Sequence, residues 1–355
     1  MIVDESEVYN SVFLEIAEKV LELAKKNNTT SRKITKKIET KSTTNSLENV
    51  ECSVKEKIEV NPNQKEVVVI SGKGGTGKTS IVASFCAIEK NIAISDCDVD
   101  AADLHLILKP NVVEKAAFSG GKVAEIDCAK CISCGRCYEV CRFGAIIKDY
   151  EEDGALYMVD SKSCEGCGAC GIVCPTDAIE FKTAINGEWF ISDTRFGPMS
   201  HAKLGAAEEN SGKLVTLIRN KKNQLAAKNS LNISIIDGSP GTGCPVIASI
   251  TGTDYAVIVT EPTVSGVHDL KRILDVIKFF SIKSGVIVNK YDLNIDKTND
   301  IIDIAKEYGA DFLGKIGYDK SVTKAQMKGL SVTEYVDNET TTEIKNIWTK
   351  VKENV

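Results

Sequence analysis

The sequence predicts a doubly wound α/β fold with a mostly parallel sheet, into which a second, small domain is inserted. Three observations carry this. From residue 65 onward, short apolar, β-branched runs alternate with helical patterns, the signature of buried parallel strands covered on both faces. The first such run ends in a glycine-rich loop, Gly72-Lys73-Gly74-Gly75-Thr76-Gly77-Lys78-Thr79. A cysteine-rich stretch then interrupts the alternation. The expected division is an N-terminal extension over 1–64, an α/β domain over 65–119 and 184–355, and an insertion over 120–183.

The length of 355 residues suits about two domains. With 43% hydrophobic and 26% charged residues, the composition is that of a globular protein. A net charge of −6 gives no electrostatic case for nucleic-acid binding. No apolar run approaches the ~18 residues of a membrane-spanning helix. Met1–Glu7 is acidic and no basic segment precedes an apolar stretch, so no secretory signal and a cytoplasmic location are expected. Thirteen cysteines, nine of them between Cys128 and Cys174, occur as C-x-x-C runs. An odd count without a signal argues for metal ligation in a reducing compartment, against a disulfide framework.

Along the extension, Tyr9, Val12, Phe13, Ile16, Val20, Leu23 and Ala24 recur at helical spacing, which predicts an amphipathic helix. Lys25–Lys41 is basic and rich in Thr and Ser; without interleaved aromatics it reads as a solvated linker. Val50, Cys52, Val54, Ile58 and Val60 alternate as a short edge strand would.

In the α/β domain, strands are expected at Val67–Ile70, Ile92–Ile94, Ile233–Ile236, Tyr255–Thr260 and Gly285–Val288. Helices are expected at Lys78–Ile88, Val267–Phe280 and Thr298–Tyr308. Near the end, Ile344, Ile347, Trp348 and Val351 form a stripe. The opposite face mixes Glu343, Lys345, Lys350 and Glu353, so docking on the core is expected and membrane binding is not.

The glycine loop fits G-x-x-x-x-G-K-[ST] between a strand and a helix. Its backbone N–H groups, with Ser80 just beyond, would bind the nucleotide's phosphates, Lys78 would reach the β/γ-phosphates, and the Thr79 hydroxyl would serve Mg²⁺. Asn289-Lys290-Tyr291-Asp292 after a core strand is ambiguous, because N-K-x-D also reads guanine in GTPases.

Within the insertion, Cys131, Cys134, Cys137 and Cys141 have x2-x2-x3 spacing, repeated by Cys164, Cys167, Cys170 and Cys174 with Pro175 after the last. This is the bacterial ferredoxin run, twice. Three closely spaced thiolates wrap one face of a cube and the fourth comes from the other motif. One [4Fe–4S] cluster is therefore expected on Cys131, Cys134, Cys137 and Cys174, the other on Cys164, Cys167, Cys170 and Cys141. Arg142 stands where the first motif would have proline. The spacing is not that of a zinc ribbon. Cys128 reads as a bystander, Cys52, Cys86 and Cys97 as small buried side chains, and Cys244 as a spacer rather than an inter-subunit ligand.

Lys73, the second lysine of the loop, makes K-G-G-T-G-K-T resemble the deviant Walker A loop of the MinD/ParA superfamily, which includes the nitrogenase iron protein. Asp96-Cys97-Asp98 resembles that family's first switch and Asp237-Gly238-Ser239-Pro240-Gly241 its second. Arg195–Pro198, Glu208–Val215 and Thr260–Thr263 add to the likeness, which covers about residues 66–337. It implies an ATP-sandwich homodimer in which Lys73 reaches the partner subunit's phosphates. By the same resemblance Asp98 orients the attacking water, Asp96 and Asp237 support Mg²⁺, Gly241 meets the γ-phosphate, and Asn289 reads adenine. Asp103 stands where the family often has asparagine. The double lysine favours ATP over GTP. The expected function is ATP hydrolysis coupled to electron transfer through two [4Fe–4S] clusters to a partner protein, the alternative being an iron–sulfur assembly or carrier ATPase.

Overall fold

The computed structural model describes residues 61–151, 154–205 and 212–355; the helix, linker and edge strand expected in the extension lie outside them. The described chain forms two compact units, residues 119–185 and the remainder from 61 onward.

The larger unit is a nine-stranded sheet. Its strands are β1 (Lys65–Ser71), β2 (Ala93–Asp96), β3 (Asn111–Phe118), β8 (Gly187–Thr194), β9 (Gly197–Leu204), β10 (Ile233–Pro240), β11 (Tyr255–Thr260), β12 (Lys283–Asn289) and β13 (Asp311–Ile316). Their spatial order is β13-β12-β11-β1-β10-β2-β9-β8-β3. Pairing is parallel from β13 to β9, then antiparallel through β8 and β3. The expected strands are all present and the sheet is mostly parallel, as expected; the antiparallel strands β3 and β8 and their neighbour β9 were not foreseen. These three lack a continuous apolar run: seven of eight residues of β3 are exposed.

Side chains alternate across the central strand, as the period of two requires. Val67 and Val69 join one core with Phe85 and Trp348; Val68 and Ile70 join another with Leu270, Ile273 and Ile301. Helices Lys78–Glu89 and Glu339–Asn354 cover the first face, Val264–Phe279 and Ile295–Glu307 the second. The C-terminal stripe is buried: Trp348 stacks on Phe85 at 4.7 Å between centroids, and its indole N–H donates to Glu89 at 2.7 Å.

Arg195-Phe196 forms the β8–β9 turn. The Arg195 guanidinium donates to the Ile107 and Leu108 carbonyls at 3.0 and 2.8 Å and pairs with Glu334 at 2.8 Å. The turn thereby ties the antiparallel extension to the segment after β2.

The unit 119–185 is two similar halves. β4 (Gly121–Ile126) pairs antiparallel with β7 (Ile179–Ala184), and β5 (Ile146–Glu151) with β6 (Gly154–Val159). Each half carries one short helix, Arg136–Val140 or Ala169–Val173, and the two helices pack together around Val140, Ala169, Cys170 and Val173. Among the described residues no helix is long and apolar enough to cross a membrane.

Candidate functional site: a phosphate loop with three carboxylates, and a paired cysteine framework

The strand order explains how distant residues meet. β10 lies between β1 and β2, so the phosphate loop after β1, Asp237 on β10 and Asp96 on β2 converge at the carboxyl end of the sheet, with Asp96 and Asp237 as direct register partners. On the other side, β11 ends before Glu261 and β12 ends in Asn289.

The loop is braced at both ends. Ser71 Oγ donates to the Lys73 carbonyl at 2.8 Å. Gly77 sits at φ +91°, and a Cβ there would meet Asn289 Nδ2 at 2.3 Å, so only glycine fits. Asn289 Nδ2 donates to the Thr76 carbonyl at 2.7 Å, holding β12 against the loop.

Lys78 opens the helix and is buried. Its ammonium lies 2.5 Å from Asp237 and 3.4 Å from Asp98. Burial opposes its charge, yet Asp237 and Asp98 outweigh that and hold its pKa above the ordinary lysine value. Burial, helped by the charge of Asp237, pushes Asp96 well above the usual carboxylate range, and burial raises Asp98 as well. Three carboxylates thus face one ammonium. Asp96 Oδ2 and Asp237 Oδ2 are buried and accept no hydrogen bond. Oxygens of this kind suit a hydrated divalent cation, so the residues fit Mg²⁺.

Beside the loop is a pocket of about 440 Å³ lined by Gly74–Ile81, Asp98, Asp103, Asn289 and Lys290, with a far wall of Ile316–Asp319, Val322, Thr323 and Gln326. Asp292, the residue that would read guanine, does not line it. Its carboxylate accepts the Tyr318 N–H at 2.8 Å and holds that wall in place. Gly241 lies at φ +95° with its N–H given to the Ser71 carbonyl at 2.9 Å, so meeting a γ-phosphate requires breaking that bond.

Lys73 does not point into this pocket. Its ammonium pairs with Glu261 at 2.6 Å and donates to Ser265 Oγ at 2.9 Å and Thr263 Oγ1 at 3.2 Å. Glu261 and the pocket's far wall carry no periodicity or spacing signal; Glu261 was visible only as part of the resembling Thr260–Thr263 segment.

In the small unit, the two cysteine runs have the same backbone. Ser133 and Gly135 in the first, and Gly166 and Gly168 in the second, all have positive φ. At Gly166 a Cβ would meet the Lys122 carbonyl at 2.0 Å. Cys141 and Cys174 end their helices at matching angles, φ −72°, ψ 104° and φ −71°, ψ 117°. Cys131, Cys134, Cys137 and, from the other run, Cys174 line one small cavity with Tyr157. Cys164 and Cys167 act on the Cys170 thiol, which burial first and these neighbours second push up to about 12. Backbone N–H groups point at two sulfurs: Ala178 at Cys174, 3.2 Å, and Ala124 at Cys164, 3.5 Å. Among the described residues no three His, Cys, Asp or Glu side chains close around a single ion. The side chains that the two runs offer are all thiols. Cys128 is exposed near the first run, and Cys244 is exposed at the start of the short helix Cys244–Ile250.

A parallel sheet with a phosphate loop, a carboxylate on each of the next two strands to one side, and an adjoining pocket defines a P-loop nucleotide-binding protein. The chain belongs to the CobQ/CobB/MinD/ParA nucleotide-binding domain family, whose pattern matches residues 67–332. It is similar to the uncharacterized protein MJ0578 of Methanocaldococcus jannaschii, 35% identical over 232 residues, 64% of this chain and 79% of that one. An iron-sulfur cluster carrier protein of the same organism is 23% identical over 309 residues, 82% of this chain and 84% of its own. An uncharacterized ferredoxin, also from M. jannaschii, is 46% identical over 57 residues, 16% of this chain and 74% of its own.

Proposed function

We propose that this protein is a nucleotide-switched iron–sulfur ATPase: ATP binding and hydrolysis in a sandwich homodimer drive electron transfer through two [4Fe–4S] clusters to a partner protein. The observation that carries the reading is the repeated cysteine framework. Two x2-x2-x3 quartets share one backbone conformation, and the fourth cysteine of the second run faces the first three of the other. The similarity of a 57-residue stretch to a ferredoxin supports it.

Cys131, Cys134, Cys137 and Cys174 would hold one cluster, and Cys164, Cys167, Cys170 and Cys141 the other. Bound there, such clusters supply one-electron transfer. Val140, Ala169 and Val173 keep water from the inner sulfurs, and the Ala178 and Ala124 N–H groups stabilise negative charge on Cys174 and Cys164.

In the larger unit, the loop N–H groups from Gly74 to Thr79 and the Lys78 ammonium bind the phosphates. With a substrate present, Lys78 turns from Asp237 to the β/γ-phosphates. Asp237, Asp96 and Thr79 are then placed for Mg²⁺ and its water, Asp98 for the attacking water, and Asn289 for the adenine edge. Lys73 acts on the partner subunit's phosphates, spreading positive charge onto the transferred group.

The test is anaerobic purification followed by metal, sulfide and nucleotide analysis. About eight Fe and eight acid-labile sulfides per chain are expected, with Mg²⁺-dependent hydrolysis that prefers ATP. Stoichiometric zinc, or one cluster's worth of iron after full reconstitution, would remove the ferredoxin reading; a preference for GTP would reassign Asn289–Asp292. A second reading, a cluster carrier, is favoured by the exposed Cys244 beside the second switch. Intact cluster transfer to an apo-ferredoxin would choose it.

A further inference from the structure

We propose that the cysteine unit has one docking face for an electron-carrying partner protein, centred on Tyr157 beside the first cysteine run, and that the partner it fits presents carboxylates around an apolar centre. The inference rests on reading the unit as an electron-transfer module.

The two runs can be compared position by position. Ser133, Gly135 and Gly144, at φ +53°, +76° and +64°, match Gly166, Gly168 and Asp177, at +62°, +84° and +52°. Buried residues match as well, Val140 with Val173 and Ala145 with Ala178. The outer positions do not. Ile132, 61% exposed, stands where the second run has the exposed Glu165. Arg136 stands where the second run has Ala169, and Tyr138, 50% exposed, where it has Gly171. Packing dictates both small residues: Ala169 lies in the core between the helices, and a Cβ on Gly171 would meet Phe181 at 2.9 Å. Packing does not dictate Ile132, since the same backbone carries a glutamate in water at Glu165.

The outer side chains of the first run join one surface. Ile132, Arg136 and Tyr157 line the cavity bounded by Cys131, Cys134, Cys137 and Cys174. Tyr157 is buried, and its ring lies 6.1 Å from that of Tyr138. On β5, Lys148 is the direct register partner of Tyr157. Its ammonium sits 4.9 Å from the centre of the Tyr150 ring, which is 75% exposed. Asp149, between Lys148 and Tyr150, belongs to the opposite face of the hairpin by the strand's period of two.

Ile132, Tyr138 and Tyr150 thus offer apolar contact area, with Arg136 and Lys148 as cations among them. Tyrosine and arginine are the residues that commonly anchor protein interfaces, and an exposed apolar patch rimmed by charge marks an interaction site. Charge then selects the partner. The whole chain carries −6, so an acidic protein is repelled by most of it and drawn to Arg136 and Lys148. A partner seated there lies beside Cys134, an exposed thiol of the first run. One electron would pass from the first-run cluster to the partner's redox centre, the first oxidised as the second is reduced, with no bond broken and no proton moved.

The experiment is stopped-flow oxidation of the dithionite-reduced, cluster-loaded full chain under anaerobic conditions. The probes are oxidised rubredoxin, a small acidic one-electron protein, and the neutral complex cobalt(III) tris(acetylacetonate), which needs no docking face. Wild type is compared with Ile132→Glu, Tyr150→Ser, Arg136→Gln, Lys148→Gln and, in the second run, Glu165→Gln. Ile132→Glu and Tyr150→Ser should slow rubredoxin reduction about tenfold or more and leave the cobalt reaction unchanged. Arg136→Gln and Lys148→Gln should slow it at low salt and flatten its salt dependence. Glu165→Gln should stay within about twofold of wild type. Tyr150→Ser, away from the cysteines, guards against cluster loss in Ile132→Glu. Rubredoxin reduction unchanged in all four first-run variants would overturn the face. A faster reaction in Ile132→Glu would mean that the face is already covered, by a second copy if sedimentation velocity shows the variant losing a dimer, by residues 1–60 if it does not; either overturns the proposal. A wild-type protein that reduces neither probe would overturn the electron-transfer reading itself, which is a different failure.

Discussion

His201 offers a pH test of the sheet unit. It lies on β9 opposite Asp96 in register, with its ring against Phe190 at 5.0 Å between centroids and Nε2 at 2.9 Å from Ser192 Oγ. Burial, with His105 adding to it, lowers its pKa from 6.5 to about 4. The folded protein therefore binds this proton less readily than the unfolded chain. Stability is complete above pH 6.5 and is lost as pH falls toward 4. At about 1.4 kcal/mol per tenfold change in proton affinity, the full difference is roughly 3 kcal/mol, of which about 2.5 is lost at pH 4.5. Asp96 and Asp98, whose pKa values are raised, act with the opposite sign over part of this range, so the quantity to measure is a difference between variants. The perturbation is His201→Gln, which keeps a partner for Ser192 without titrating. Urea unfolding followed by tryptophan fluorescence reports this unit alone, because both tryptophans, Trp189 and Trp348, lie in it. Wild type should lose about 2.5 kcal/mol relative to the variant between pH 7.5 and 4.5. A difference between the two that stays constant with pH would refute the reasoning.

Three further outcomes follow from the same contacts. Lys78→Ala should abolish nucleotide binding by calorimetry and also cost about 3–5 kcal/mol in stability, since Asp96, Asp98 and Asp237 would lose their shared counter-charge; a binding defect with unchanged stability would mean that a proton taken up by Asp96, whose pKa is already raised, relieves the repulsion. Trp348→Ala should cost about 3–5 kcal/mol in urea unfolding, from the cavity beside Phe85 and the lost bond to Glu89. Asn289→Ala should weaken ATP binding about tenfold or more without creating a preference for GTP, because it frees the Thr76 carbonyl and removes the expected adenine contact; competition between the two nucleotides reads this out.

The sequence was informative where chemistry imposes spacing. The phosphate loop was legible because phosphate binding demands a fixed set of groups at fixed intervals, and the two cysteine runs were legible as one spacing repeated. The parallel strands were legible because burial on both faces makes them continuously apolar, as in Val67–Ile70. β3, β8 and β9 were not, since an exposed ribbon such as Asn111–Phe118 needs no apolar run. Arg195–Pro198 carried no chemical meaning as a string. In the fold it is a turn whose guanidinium gathers two carbonyls and Glu334. The three-acceptor nest around Lys73 was equally hidden. Thr263 and Ser265 read as ordinary helix-start residues, and only the adjacency of β11 and β1 brings them to the lysine. Glu208–Ser211, the remaining resembling segment, lies outside the described residues.

Coupling between nucleotide and clusters is the central claim, and a redox titration tests it most directly. Asp98→Asn protein, which should bind ATP without hydrolysing it, is titrated anaerobically and followed by EPR, with and without Mg²⁺-ATP. A coupling free energy of about 1–3 kcal/mol is the usual scale, and 59 mV corresponds to about 1.4 kcal/mol for one electron. The expected result is a midpoint shift of at least ~40 mV on trapping ATP. Identical midpoints, with cluster accessibility to an iron chelator also unchanged, would contradict it.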